Sequence, residues 1–557
     1  MKKLILLSLV CCLTAALASP AAALRWPANM SYRVNTMGGA TLVIEDETTA
    51  ITVFNHENVA GVVLNKKENR SDFGLGYSGT TYKVEPTGVT YETTSSNLFL
   101  ARPGAEYRGL TYWVDDALAV RVGIEGMMVN INSKTTPAVG TATEEKFGFS
   151  GLGGGGSASY KLDMGLAFGA GVSYIGAGGK PDSLDGAYNV AAMVSGDPTA
   201  TTSKFEVAAS CLSWGIGAAY EAALGSEDKL TIGAGVHGDD DQPNLGSIAN
   251  PAALLSGSPT MMGDYSGTIT IEGSAGGLDN VGQKYTMSQA PLGINAEAIY
   301  NMGKMLEAGL LFDYKMAEMK LKTEYTGFDA LPPAARPVDT EQKLAATNLM
   351  GITPVIRAML PLAEDMTLVP GLSFTTWGSG TMDLYTDNGT TADVNDTYKY
   401  QTNTLSQSMF GIGCGLQAMG KQLALAVQYE TGSDKTESKF YDVNGTDITP
   451  AGTDPAEGSS SNLRAGAEFW VMPMLAIRAG FASLLHTTKD GAVDSSGNPT
   501  DLKNMTNRIS FGAGVELPDG LRADLLVGLN TLTQDPASNP EPTNTAMDVW
   551  LGIKLPL

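Results

Sequence analysis

Three histidines, four cysteines and a thin scatter of charge are all this chain of 557 residues offers for chemistry. His56, His237 and His486 lie far apart, and neither a Gly-x-Ser-x-Gly elbow nor a Gly-rich phosphate loop with its Lys-Ser/Thr accompanies them. A lipase-type or protease-type enzyme, the less favoured alternative, would need a nucleophile with a base or a paired-carboxylate site. Nothing singles out a nucleophile, although triads are assembled in space, so the expectation is a protein that is not an enzyme and carries no cofactor. His56 beside Glu57 could form a pH-sensitive latch, and His237 ahead of Asp239-Asp240-Asp241 could hold a divalent ion. A hydrogen-bonded histidine and a solvated acidic loop are the simpler accounts, and no metal site is expected. Cys11 and Cys12 fall in an apolar leader. Cys211 and Cys414 remain, enough for one bridge and too few for a disulfide scaffold.

The charge balance narrows the partners. With 36 basic and 59 acidic residues the chain carries a net charge of −23, so it has no basic surface for nucleic-acid phosphates. Residues 1–23 read as a signal peptide: Lys2-Lys3, an apolar run from Leu4 to Leu17, then Ala21-Ala22-Ala23 for cleavage. After the leader no apolar stretch approaches the ~18 residues of a transmembrane helix. High glycine content (66 residues) with 43% hydrophobic residues suits many strands and turns.

Those strands are legible as apolar residues at every second position. Ile509, Phe511, Ala513, Val515 and Leu517 lead to Pro518-Asp519-Gly520 and then to Leu521, Ala523, Leu525, Val527 and Leu529. The other face is polar or glycine, with Leu526 its one apolar member. A second hairpin turns at Met472-Pro473-Met474 and a third at Asn301-Met302-Gly303. Similar turns at Asp115-Asp116, Asp163 to Gly165, Gly225 to Asp228, Ala363 to Asp365 and Ala418 to Lys421 bring the expected hairpins to about eight. Long polar tracts separate them: 131–156, 177–203, 238–288, 318–350, 379–406, 432–460 and 486–506.

Short turns alternating with long tracts have no reason in a secreted sandwich or solenoid, but suit an outer-membrane barrel with short periplasmic turns and long external loops. The expected fold is thus all-β: a transmembrane antiparallel barrel of 14–18 strands, best about 18, over residues 71–557. Mixed-sign residues would line its lumen: Arg121, Glu125, Glu297, Glu307, Asp313, Arg464, Glu468, Arg478, Glu516, Arg522 and Asp524. Two features fit less well. Pro354 and Pro370 fall inside one hairpin, where each removes a ladder donor, and 7% aromatic residues is few for two interfacial girdles. The final residues Val549-Leu557 alternate to the chain end and resemble the strand read by the barrel-assembly machinery, with Leu557 in place of the usual aromatic.

Ahead of the first strand, residues 24–70 carry Gly38-Gly39-Ala40, the acidic pair Asp46-Glu47, the small residue Ala50, and Asn55-His56-Glu57. This order resembles the N-terminal hatch of the outer-membrane long-chain fatty-acid transporter family (FadL-type), in which Gly-Gly-Ala, an acidic pair and Asn-Pro-Ala follow one another. His56 and Glu57 replace Pro and Ala, and Asn58-Val59-Ala60-Gly61 fits only with a larger insertion. The resemblance continues through Tyr112-Trp113-Val114-Asp115, Phe168 to Tyr174, and Trp214-Gly215-Ile216-Gly217. It implies a plugged, monomeric barrel passing hydrophobic small molecules, such as long-chain fatty acids or aromatic hydrocarbons, down their gradient in a Gram-negative outer membrane among its lipids and lipopolysaccharide. It further implies a strand break for lateral exit, for which Gly123 and Gly126 are the candidates. An open porin, or a barrel sheathing another protein, is the alternative.

Overall fold

The computed structural model describes residues 31–46, 49–52, 58–65, 69–85, 89–100, 109–182, 201–238, 265–275, 278–332, 336, 338–387, 397–450, 453, 455–493, 499–535 and 543–557. The leader, Glu47, Asn55, His56, Glu57 and Asp239 to Asp241 lie outside them, as does the side chain of Glu125.

Antiparallel strands make up nearly all of it. The first run is β1 (Arg70–Val84), β2 (Thr90–Leu100), β3 (Gly109–Trp113), β4 (Leu118–Thr136), β5 (Thr143–Lys161), β6 (Leu166–Pro181) and β7 (Thr201–Ala223). There follow β8 (Asp228–His237), β9 (Tyr265–Ala275), β10 (Leu278–Met302), β11 (Leu306–Thr326), β12 (Thr340–Ala358), β13 (Leu360–Ala363) and β14 (Met366–Asp387). The remainder are β15 (Thr397–Ala418), β16 (Leu423–Phe440), β17 (Ala456–Met472), β18 (Leu475–Val493), β19 (Pro499–Glu516), β20 (Arg522–Asp535) and β21 (Thr543–Pro556).

Three strands continue the line of a neighbour. β2 and β3 both pair with β1 and β4, β8 and β9 both pair with β7 and β10, and β12 and β13 both pair with β14. The 21 strands therefore form 18 staves, and β1 pairs with β21 from Arg70↔Pro556 to Lys83↔Thr543, which closes the barrel. Closure leaves no unpaired edge, the condition for a sheet to sit in lipid. All eight expected turns connect strands at one end, the end where β1 begins and β21 finishes.

The outward face is marked by alternation. Leu425, Val427 and Tyr429 on β16, Ile477 and Phe481 on β18, and Leu525 and Leu529 on β20 are exposed. Above Tyr429, moving away from the short turns, the same face becomes Thr431, Ser433, Lys435 and Glu437. The sparse aromatics are concentrated where they count. Tyr112, Tyr160, Phe168, Tyr220 and Phe469 form an exposed row by the short turns, and Tyr77, Tyr174, Phe374, Phe410 and Tyr429 a second row higher up. Phe168 and Tyr174 are six residues apart on β6, or about 20 Å along a strand, close to the height of an apolar belt.

The polar tracts are shorter as loops than their composition suggests. Their flanks are strand: β10 reaches 25 residues and even β20 and β21 run to 14, against the ~9–11 that span a bilayer. The prolines are accommodated. Pro354 pairs with Leu310 and Pro370 with Cys414, while the β12–β14 ladder has no rung at Pro354, where the missing donor falls.

Candidate functional site

Two short helices, α1 (Tyr32–Thr36) and α2 (Gly61–Leu64), lie in the N-terminal segment. Ser31 caps α1, its Oγ accepting from the Val34 N–H at 3.1 Å. The helix ends at Gly38 and Gly39, both at φ +74°, and the Gly39 N–H donates to the Val34 carbonyl at 2.9 Å. Two successive left-handed residues explain the Gly-Gly of the motif. Ala40 is buried immediately after them.

The segment touches the wall from many sides, always at residues that alternate with the exposed belt. Thr36 accepts from Ser510 Oγ (2.9 Å), Gly39 from Arg464 Nη1 (2.9 Å), and the Leu42 N–H donates to Gln428 Oε1 (2.9 Å). Across the barrel, Asn58 Nδ2 donates to Glu297 Oε1 (2.7 Å), and Trp113 Nε1 to the Val62 carbonyl (3.2 Å). A segment reaching staves on opposite sides of a closed barrel lies within it. Glycine makes the room: a Cβ at Gly466 would stand 2.2 Å from the Met37 oxygen, at Gly480 2.1 Å from the Gly38 nitrogen, at Gly415 2.4 Å from the Val43 oxygen, and at Gly169 2.5 Å from the Val59 carbon. Leu526, the apolar exception on its face, packs with Trp550 against Tyr32.

Charge is paired throughout this contact. Arg33 grips Glu468 with Nε at 2.9 Å and Nη2 at 2.8 Å, Glu468 meets Arg478 Nε at 2.6 Å, and Arg478 Nη1 meets Asp524 at 2.5 Å, which Arg522 also holds at 2.6 Å. Asp46 of the acidic pair stands 3.5 Å from Arg33. Burial pulls the Arg33 pKa down, but hydrogen bonding and the charges of Glu468 and Asp46 outweigh it and hold the guanidinium above its ordinary value. Glu307 pairs with Arg357, whose Nη1 donates to the Ile44 carbonyl at 3.1 Å and Thr49 Oγ1 at 3.2 Å. Arg464 also faces Glu430 at 3.5 Å. Asp313 lies by Lys315 (3.2 Å) and His237 (3.8 Å), Glu516 is exposed at the short-turn rim, and Arg121 is half-buried on β4.

The strand carrying Gly123 and Gly126 is not broken. β4 pairs with β5 continuously from Leu118↔Tyr160 to Thr135↔Thr143. On its other edge β4 pairs with β3 up to Gly109↔Gly123 and with β2 from Leu100↔Gly126. Glycine weakens a strand but does not break one that is paired on its other edge. Among the described residues no group of three or more His, Cys, Asp or Glu could hold a metal, and Cys414 is free and exposed.

Above the N-terminal segment the inner wall changes character. Val129, Phe147, Phe149, Phe205, Val207, Ile269, Ile271, Met287 and Met319 form one buried cluster, joined by Phe99, Ile131, Ala177 and Leu384 at its margin. These residues come from ten consecutive staves, from the β2/β3 stave round to β14. A cavity of about 860 Å³ lies near its edge, across β20, β21, β1, β2, β4 and β5. Its lining takes residues of both faces, Tyr77 and Met547 from the outer and Thr80 and Asn530 from the inner. Sequence reasoning missed this wall, along with Arg33, Arg357, Gln428 and Asn58. Asn58 was visible in the second, weaker fit to the hatch motif.

Closure and the outward apolar belt together define a closed antiparallel barrel of the membrane-spanning class. The chain is similar to the toluene transporter TodX of Pseudomonas putida at 11% identity, covering 95% of this chain and 99% of that one with a TM-score of 0.35. It is similar to OccK7 of Pseudomonas aeruginosa (11% identity, 88% and 100% covered, TM-score 0.37) and to the toluene transporter TbuX of Ralstonia pickettii (12%, 95% and 99%, 0.29). No protein-family model and no curated protein matches.

Proposed function

We propose that this protein is a passive outer-membrane channel for hydrophobic small molecules, such as long-chain fatty acids or aromatic hydrocarbons, with residues 24–70 as its hatch. The observation that carries the reading is the apolar inner wall over ten staves. A water-filled porin keeps a polar interior, and burying phenylalanine, isoleucine and methionine there serves a solute that itself prefers a dry surface. Such a solute gains roughly 25 cal/mol per Å² of apolar area on leaving water. The resemblance of the N-terminal segment to the fatty-acid transporter hatch supports the same reading, and so do its contacts with the inward face. Diffusion down a gradient needs no nucleotide and no cofactor.

The test is single-channel conductance in a planar bilayer, comparing the mature chain with one lacking residues 24–70. The expected result is near silence from the first and stable, large conductance from the second. Large steady conductance from the intact chain would instead mean an open porin or sheath.

A further inference from the structure

The cavity of about 860 Å³ opens on the outside of the barrel rather than into the lumen. One inward residue from each of six neighbouring staves lines it, and these six pair directly across the sheet: Asn530, Ala546, Thr80, Ser95, Ile131 and Phe147. Each is flanked in the lining by its two outward neighbours, as Thr80 is by Gly79 and Thr81, whereas the next inward residues, such as Ser78, Asn97 and Val129, do not line it. Alternate residues of a strand point to opposite faces. The space therefore lies over the outward side chains, with the inward residues present as the backbone between them.

This groove straddles the edge of the apolar belt on the side away from the short turns. At its lower edge Val527, Val549, Tyr77, Leu98 and Met128 stand in register on the outer face. Its upper lip is Thr531, Thr545, Thr81, Thr94, Asn132 and Lys146, again in register. The floor between the two rows is small, formed by Gly79, Ser96 and Gly148, and a Cβ at Gly148 would find nothing nearer than 3.6 Å. Elsewhere the upper girdle is filled by exposed rings, those of Tyr174, Phe374, Phe410 and Tyr429. A hollow with an apolar lower edge and a hydroxyl upper edge lies where a bilayer passes from acyl chain to headgroup, so its occupant is a lipid and its selectivity is for the head.

The lining decides between heads. Its one outward cation, Lys146, stands 3.4 Å from Glu144, and Asp182 adds an anion. A phosphate is held by charge-assisted bonds from Arg or Lys, and this groove has no net positive charge to give. A quaternary ammonium is held against aromatic faces, and Tyr77 is the single outward aromatic in the lining. Hydroxyls and amides are what remain, from the threonines, Ser96, Asn130 and Asn132. They both donate and accept, as the hydroxyls of a sugar do.

We propose that this groove binds a glycolipid of the leaflet away from the short turns, its sugar head against the hydroxyls and amides and its acyl chains running down over Leu98, Leu529 and Met547. The proposal rests on the membrane-spanning barrel and is independent of what passes through the lumen.

The experiment is native mass spectrometry of the full mature chain released from nanodiscs that hold equimolar phosphatidylcholine, phosphatidylglycerol and diglucosyl-diacylglycerol with the same acyl chains. The glucosyl lipid is expected to be retained on the order of tenfold over either of the others, the worth of one to two net hydrogen bonds. Filling the floor with Ser96→Leu and Gly148→Leu is expected to remove the preference while the other two lipids are retained as before and the folded barrel keeps its faster gel migration. Thr94→Val with Thr545→Val keeps the shape of the groove and removes two hydroxyls, and is expected to lower the preference severalfold. Equal retention of the three lipids, a preference for phosphatidylglycerol, or a glucosyl preference untouched by both double variants overturns the proposal and leaves the hydrophobic-channel reading where it was.

Discussion

Glu468 stands between two guanidinium groups, with 1% of its side chain exposed. One, Arg33, belongs to the N-terminal segment, and the other, Arg478, belongs to the wall and continues to Asp524. Removing one member of a buried ionic chain leaves its partners desolvated and unmatched, at a cost of about 3–5 kcal/mol. The two ends of the chain should therefore respond differently. Glu468→Gln takes the shared carboxylate from both Arg33 and Arg478, leaving them only Asp46 at 3.5 Å and Asp524 at 2.5 Å, and is expected both to lower the temperature at which the folded barrel loses its faster gel migration and to produce bursts of conductance. Arg33→Met leaves Glu468, Arg478 and Asp524 paired, so the bursts are expected without the loss of thermal stability. An equal drop in melting temperature for both variants would show that the segment and the wall are one structural unit. From sequence, Glu468, Arg478 and Asp524 were recognisable as lumen residues by their place opposite an apolar stripe. Arg33 was not, because α1 is five residues long and lies 435 positions from its partner.

At the scale of the element, the outer face was legible near the short turns, and what the inner face packs against was not. Lipid enforces one rule on every outward position, so alternation at Ile509, Phe511 and Ala513 repeats from stave to stave and the turns between them stand out. Inward positions answer to whatever lies opposite each of them. Where that is the N-terminal backbone, glycine is required, and glycine in a strand reads only as weakness. Where it is Tyr32, the wall supplies Leu526 and Trp550, which look like errors in the pattern. The socket makes a sharp prediction. A Cβ at Gly480 would lie 2.1 Å from the Gly38 nitrogen and 2.4 Å from the Thr36 oxygen, both backbone atoms that cannot yield, whereas one at Gly178, on the outward face of β6, would come no nearer than 3.4 Å to anything. Gly480→Ala is expected to displace the segment and raise basal conductance severalfold with the far-ultraviolet circular dichroism unchanged. Gly178→Ala is expected to behave as the parent. A silent Gly480→Ala channel would mean that the segment can shift without opening a path.

For the whole molecule, the distribution of apolar surface fixes an orientation. The exposed rows from Phe168 to Tyr174 and from Phe469 to Leu463 hug the end with the eight short turns, and the staves continue past them for many residues with Ser, Thr, Lys and Glu facing out. A barrel so built sits low in its membrane and projects strand on the other side. This extension was hidden in the sequence because alternation is visible only while one face is apolar; beyond Tyr429 both faces are polar and the strand reads as loop. Stave number survived that blindness, since it follows from the count of short turns. The orientation can be read on intact cells with a membrane-impermeant maleimide, in a chain whose Cys211 and Cys414 are replaced by serine. Asn444→Cys, in the exposed turn that Asp442 closes by accepting from the Asn444 and Thr446 N–H groups at 2.9 and 2.7 Å, is expected to label at once. Asp519→Cys, in the short turn between β19 and β20, is expected to label only after the outer membrane is permeabilised. The reverse order would place the short turns outside, and with them the mouth of the apolar lumen would face the periplasm, where an uptake channel for external hydrophobic molecules would have no use for it.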